Sequence, residues 1–87
     1  AIVAFCQRHR LQLVVADGGG ERAHTQVDLK KPMALVVGAE AAGVPDELLT
    51  AASVRTRIPL QAPVESLNVA VAAGVLLFEA KRQRSGA

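Results

Sequence analysis

Apolar residues along this chain form short runs that predict strands separated by helices. Leu11–Ala16 and Met33–Val37 are mostly apolar and are each followed within two residues by glycine, which is typical of buried strands. Val54–Leu60 alternates apolar and polar positions, and Pro59 must lie at the end of that strand. A weak edge strand is expected around Thr25–Val27. The pattern predicts an α/β fold with a mostly parallel sheet.

Three helices are predicted around these strands. Ala1–His9 is interpreted as the end of a short helix. Pro45 opens a second helix that extends to about Ala52, because proline followed by acidic residues suits a helix N-terminus. The last helix is predicted from about Leu67 to Arg84, with Ser66 as its N-cap.

The last helix carries apolar residues around its whole circumference. One apolar face follows the helical spacing from Leu67 to Phe78, and Val69, Ala72, Ala73, Leu76 and Leu77 cover the opposite side. A helix that is apolar all round is normally buried all round. In so short a chain, one face must contact something beyond the domain, and we expect a partner subunit.

Composition narrows the possible functions. The 87 residues suit at most one domain, and 2% aromatic content excludes an aromatic stacking platform for single-stranded nucleic acid. One cysteine and two histidines exclude a zinc finger and a disulfide framework, which suits a reducing, cytoplasmic setting. The net charge of +2 tolerates RNA as a partner. No signal peptide is recognised, and the apolar run Val69–Phe78 is shorter than the ~20 residues of a membrane span.

Two loops carry the candidate chemistry, because ligands of open α/β sheets bind beyond the carboxyl ends of strands. The first is Gly38–Gly43, a G-x-E-x-x-G pattern that is weak by itself. The second is 59–68, where Ser66 and Asn68 place polar side chains at a helix start. The run Asp17–Gly20 is interpreted as a flexible turn in preference to a phosphate or metal site.

Taken together, the two loops resemble the second and third motifs of the SpoU family, the RNA ribose 2′-O-methyltransferases of the SPOUT superfamily. The matching segments are Gly38-Ala39-Glu40-x-x-Gly43, Ile58-Pro59-Leu60 and Ser66-Leu67-Asn68-Val69-Ala70-Val71-Ala72. The tail Leu77-Phe78-Glu79-Ala80, with Arg82-Gln83-Arg84, is most similar to the bacterial 23S rRNA guanosine 2′-O-methyltransferase branch.

The resemblance implies a parallel sheet with a C-terminal trefoil knot that holds S-adenosyl-L-methionine as cofactor. It implies RNA, in particular 23S rRNA, as substrate, no membrane and no metal, and a homodimer that packs through the C-terminal helix. The cofactor residues it implies are Val37, Gly38, Ile58, Leu60, Leu67 and Asn68. The polar active-site residues it implies are Glu40, Ser66 and Asn68.

The family assigns activation of the ribose hydroxyl to an arginine in a first motif, and no N-x-G-x-x-x-R-type segment occurs in residues 1–87. We therefore expect residues 1–87 to be the C-terminal portion of one SpoU-type methyltransferase domain, with the N-terminal part of the domain missing. Such a piece is expected to keep the cofactor site without catalysis of its own. Three classes stay open: an RNA methyltransferase, a module that binds cofactor or RNA without turnover, and a dimerisation unit.

Overall fold

The computed structural model describes residues 1–38, 43–60 and 68–86. These ranges contain three α-helices and four strands, which confirms the predicted α/β class. The elements are α1 (Ile2–His9), β1 (Gln12–Ala16), β2 (Arg22–Ala23), a 3-10 turn (His24–Gln26), β3 (Met33–Val37), α2 (Asp46–Ala51), β4 (Val54–Arg57) and α3 (Val69–Arg84). None of the helices in the described ranges is long and apolar enough to cross a membrane.

The four strands form one sheet in the order β2-β4-β1-β3, and every described pair is parallel. β1 lies at the centre, where Val14 is level with Leu35 of β3 and Val54 of β4. Because the strands are parallel, the carboxyl ends of β1, β3 and β4 meet at the same edge of the sheet. The prediction of a parallel sheet is confirmed, and this edge becomes the place to look for a ligand site.

Two strand boundaries differ from the sequence prediction. The edge strand expected around 25–27 is wrong, because the pairing with β4 occurs at Arg22–Ala23 and the following three residues form the 3-10 turn. Thr56 sets this register, since its hydroxyl donates to the Arg22 carbonyl at 2.9 Å. β4 ends at Arg57, so it is three residues shorter than the predicted strand 54–60, and Pro59, which has no N–H to donate to a ladder, lies beyond it.

Apolar side chains cover both faces of the sheet. On the first face, Leu13 and Val15 pack with Cys6 of α1 and with Val44. On the second face, Val14 packs in a separate cluster with Val27, Leu29 and Ala80. Successive strand residues point to opposite faces, so a strand covered on both sides must be apolar at every position. This explains the continuous apolar run of β1. The single cysteine, Cys6, is unpaired and buried among the apolar side chains of the first face.

α3 covers the second face with only one of its sides. Its buried residues are Ala72, Leu76, Glu79 and Ala80. The apolar residues Val71, Leu77 and Phe78 are 53%, 56% and 75% exposed, so the part of the chain that the structure describes leaves the outer side of the helix uncovered. The helix begins later than predicted, and its N-cap is Asn68, whose Oδ1 accepts from the Ala70 N–H at 2.8 Å. The prediction of Ser66 as N-cap is therefore wrong.

The end of α3 is fastened to segment 27–31 by side chains that bind its main chain. Gln83 Nε2 donates to the Val27 carbonyl at 2.9 Å, and Gln83 Oε1 accepts from the Leu29 N–H at 2.7 Å. Arg84 donates to the carbonyls of Leu29 and Lys31 at 3.1 and 3.0 Å. Segment 27–31 lies outside the strands, so these side chains satisfy main-chain groups that have no sheet ladder to join.

Candidate functional site

Three chain segments leave the carboxyl edge of the sheet next to one another. Ala16, the last residue of β1, is level with Val37 on one side and with Thr56 on the other. The segments that follow β1, β3 and β4 therefore start side by side at Asp17, Gly38 and Ile58. Two of these three starting points, Gly38 and Ile58, are cofactor residues implied by the sequence motifs.

Gly38 is held where no side chain fits. A Cβ atom at this position would lie 2.6 Å from Val44 Cγ2 and 3.0 Å from the carbonyl carbon of Gly43. Residues 43 and 44 therefore lie against the end of β3, and Gly43 has a φ of 67°, in the left-handed region that favours glycine. The structure thus gives both glycines of the G-x-E-x-x-G pattern a local steric reason.

Apolar residues lie next to these strand ends. Ile58, which follows β4 directly, is half-buried, and Leu60, two residues later, is 36% exposed. Val37, the last residue of β3, is also half-buried. Apolar side chains beside a main chain without a side chain, as at Gly38, are the residue types that suit a flat heteroaromatic ring.

Asn68 lies at the start of α3 and is exposed. Its side-chain oxygen is committed to the helix cap, and its amide nitrogen makes no hydrogen bond within the described part of the chain. Glu40, Ser66 and Leu67 lie outside the described residues, so their places in the site stay predictions. Among residues 1–38, 43–60 and 68–86, no group of three or more His, Cys, Asp or Glu could hold a metal ion.

The segment after β1, residues 17–21, is ordered by hydrogen bonds in a way that the sequence interpretation missed. Asp17 Oδ1 accepts from the Gly19 N–H at 2.6 Å, and Arg57 Nη1 donates to the carbonyls of Gly20 and Glu21 at 3.0 Å. Arg55 forms an ion pair of 3.4 Å with Asp17. The available signal was the alternation of Arg55 and Arg57 in β4, which places both side chains on one face of that strand.

Away from the carboxyl edge of the sheet, a concave surface lies along α3. This α3 groove of about 660 Å³ is lined by His24, Val71, Gly74, Val75, Phe78, Glu79 and Arg82. Hydrogen bonds from Arg82, and then from Gln83, lower the pKa of the Glu79 carboxyl to about 2. Apart from Glu79, Arg82 and His24, the residues that line the α3 groove are apolar or glycine. None of the lining residues belongs to the cofactor set implied by the motifs.

Comparison with known proteins gives one consistent relationship. The profile of the SpoU rRNA Methylase family matches residues 1–78. A tRNA (guanosine(18)-2′-O)-methyltransferase of Thermus thermophilus is 51% identical over 63 residues, which cover 72% of this chain and 32% of the relative. A 23S rRNA (guanosine-2′-O-)-methyltransferase RlmB of Xylella fastidiosa is 43% identical over 79 residues, which cover 91% of this chain and 32% of that protein. The chain therefore spans 32% of the length of each of these curated relatives.

Solved structures of related proteins share the fold. The SpoU methyltransferase AviRb of Streptomyces viridochromogenes, in complex with the cofactor AdoMet, gives a TM-score of 0.89 at 30% identity over 99% of this chain and 36% of that chain. The TrmH/SpoU tRNA modifying enzyme of A. aeolicus gives 0.84 at 34% identity over 98% of this chain and 44% of that chain. The parallel sheet and its helices are thus arranged as in these methyltransferases.

Proposed function

This chain belongs to the SpoU rRNA methylase family, and from that premise we propose that its protein transfers a methyl group from S-adenosyl-L-methionine to a ribose 2′-hydroxyl of RNA. The relatives named above are 2′-O-methyltransferases of tRNA and 23S rRNA, and the family match extends over residues 1–78. Because the tail of α3 resembles the 23S rRNA branch, we propose ribosomal RNA as the substrate.

The observation that carries this proposal is the convergence of the β3 and β4 exits at one edge of the sheet. We propose that Val37, Gly38, Ile58 and Leu60 hold the adenosine part of the cofactor between apolar side chains and backbone N–H and C=O groups. The steric closure at Gly38 supports this fit, since any side chain there would collide with Val44. Leu67 and Asn68 complete the proposed set from the start of α3.

Methyl transfer to a ribose requires that a hydroxyl of high pKa become nucleophilic. The bound cofactor supplies the methyl group as an electrophile on its sulfonium. We propose that Glu40, Ser66 and Asn68 orient the reacting groups by hydrogen bonds, with the Asn68 amide nitrogen available as a donor. We further propose that residues 1–87 form the C-terminal portion of one SpoU-type domain with a trefoil knot, and that hydroxyl activation depends on a cationic group elsewhere in the protein.

The exposed side of α3 supports a second, compatible proposal, that the protein is a homodimer. Val71, Leu77 and Phe78 present apolar side chains that are more than half exposed on one helix. Such a surface is typical of an interface. If residues 1–87 lack turnover by themselves, a role in dimerisation or cofactor binding is the alternative function.

The decisive experiment is a titration of the purified protein with S-adenosyl-L-methionine in a calorimeter, together with transfer of its labelled methyl group to 23S rRNA and to tRNA. Gly38→Ala is expected to weaken cofactor binding about tenfold or more, which corresponds to ~1.4 kcal/mol. Gly74→Ala is the matched control, because its added methyl group has no atom within 4 Å. Binding without methylation of either RNA would support the non-catalytic module, and absence of binding would overturn the proposed function.

A further inference from the structure

The segment after β1, here called the β1 loop (residues 17–21), lies between the two cofactor segments of the proposed site. β1 is flanked by β3 and β4, so the loop begins between Gly38 and Ile58. Neither of the two family motifs includes it. Its position alone makes it a neighbour of any ligand that reaches both Gly38 and Ile58.

Main-chain contacts hold the β1 loop against the end of β4. The Asp17 N–H donates to the Thr56 carbonyl at 3.0 Å, and the Glu21 N–H donates to the Arg55 carbonyl at 3.2 Å. Between these two contacts, the Gly20 N–H donates back to the Asp17 carbonyl at 3.1 Å and closes a turn. Gly20 is buried, and a Cβ atom there would collide with the main chain of Thr56. The loop therefore lies directly on β4.

Arg57 fastens the far end of the same loop. Its Nη1 donates to two consecutive carbonyl groups, those of Gly20 and Glu21, both at 3.0 Å. Hydrogen bonds from a charged donor are stronger than neutral ones, and these two orient the two consecutive peptide groups, 20–21 and 21–22, that carry the acceptors. The exposed Arg57 side chain thus adds two contacts to the main-chain hydrogen bonds that hold the loop on β4.

Arg55 contributes less to this fastening. Its contact with Asp17 is a single ion pair with a nitrogen–oxygen distance of 3.4 Å, whereas Arg57 makes two hydrogen bonds of 3.0 Å. The buried Nε of Arg55 has no hydrogen-bond partner within the described residues. Arg57 is therefore the stronger of the two contacts.

We propose that Arg57, assisted by Arg55, is a positioning residue for cofactor binding, because it holds the β1 loop as a third side of the cofactor cleft. Residues 55–57 hold the loop and lead directly into Ile58, so the loop and Ile58 are anchored by the same strand end. This inference rests on the proposed function, since it assumes that the cofactor binds at this edge. Arg57 acts through the loop and is not proposed to touch the reacting atoms.

The test compares Arg57→Gln, Arg57→Lys and Arg22→Gln in the purified protein. Arg22→Gln is the matched control, because Arg22 is exposed on the neighbouring strand β2 and its side chain makes no hydrogen bond within the described residues. Arg57→Lys keeps the charge but replaces the planar guanidinium with a single ammonium group. Two properties are measured: amide hydrogen exchange at Gly20 and Glu21, and the dissociation constant for S-adenosyl-L-methionine.

Arg57→Gln is expected to speed amide exchange in the β1 loop and to weaken cofactor binding about tenfold. Arg57→Lys should give exchange rates and a dissociation constant between those of Arg57→Gln and the parent. Arg22→Gln should match the parent in both measurements. Cofactor binding by Arg57→Gln within twofold of the parent would overturn the positioning role while leaving the proposed function intact. If Arg57→Lys bound as the parent does, charge alone would explain the effect and the positioning role would also fail. A parent protein that binds no cofactor would overturn the proposed function and, with it, this inference.

Discussion

The two faces of the sheet are covered by different means. On the first face, α1 and α2 pack over Leu13 and Val15 with apolar side chains. On the second face, Leu29 belongs to a segment that is neither helix nor strand, and that segment needs polar partners for its main chain. Gln83 supplies them and is itself oriented by Glu79, whose Oε2 accepts from Gln83 Nε2 at 2.8 Å.

This difference explains why a carboxylate is buried under α3. Glu79 is only 8% exposed, and Arg82 binds both of its oxygens at 2.8 Å. Buried polar groups are tolerated where every one of them has partners, and here they link the helix to the irregular segment. On the first face the covering elements are helices with main-chain hydrogen bonds of their own, and apolar side chains make the contacts with β1. We therefore expect substitutions on the two faces to differ in which elements they loosen.

The largest effects are expected from shortening one leucine on each face. Leu13→Ala and Leu29→Ala remove side chains that are 3% and 0% exposed, and each should lower the free energy of unfolding by about 2–5 kcal/mol. Chemical denaturation measures the loss, and amide exchange locates it. Leu13→Ala should speed exchange in α1, whereas Leu29→Ala should speed it in α3. If both variants loosened both helices equally, the two faces would form a single cooperative core and the comparison would fail.

A smaller, pH-dependent effect is expected at Glu79. Its pKa is lowered from 4.5 to about 2 in the folded chain, so folding favours the ionised carboxylate. This contribution to stability is fully present above about pH 4.5 and is lost as the pH falls towards 2. The denaturant concentration at the midpoint of unfolding should therefore fall less between pH 4.5 and 2 in Glu79→Gln than in the parent.

Glu47→Gln is the control for this prediction, since it removes an exposed carboxylate from the first turn of α2. It should leave the acid part of the stability profile as in the parent. Parent and Glu79→Gln proteins that lost stability along the same acid profile would contradict the assignment of the lowered pKa to this contact.

The smallest effect on folding is expected at Phe78. This side chain is 75% exposed, so Phe78→Glu should change the free energy of unfolding of a single chain by no more than about 0.5 kcal/mol. In the proposed homodimer, however, it would place a charge in the apolar interface. Sedimentation over a range of concentrations should therefore show the parent as a dimer and Phe78→Glu as a monomer.

Phe5→Glu is the control for Phe78→Glu. Phe5 is also exposed, at 53%, but it lies on α1, which covers the opposite face of the sheet from α3. Phe5→Glu should sediment as the parent does. A parent that is monomeric at every concentration would remove the proposed role of α3 as an interface.

Much of the fold could be predicted because local patterns and tertiary packing agree. The sequence pattern predicts Met33–Val37 with the bounds that the structure shows, and the helix that Pro45 opens lies at Asp46–Ala51. The edge strand differs from its predicted place because its position depends on Thr56, which is distant in sequence. The cap of α3 is Asn68 and not Ser66 for a different reason, since both residue types suit an N-cap and the sequence alone does not choose between them.

By itself, the sequence determined the strand and helix types, the parallel sheet and the two loops that carry the family motifs, because these depend on residue patterns within short stretches. Only the tertiary structure decided that the β1 loop lies against β4 under Arg57, and that Gln83 fastens the segment around Leu29. Those contacts join residues 37 and 56 positions apart. A single side chain that binds a distant main chain leaves no periodic trace in the sequence, so its partner becomes visible only when the chain has folded.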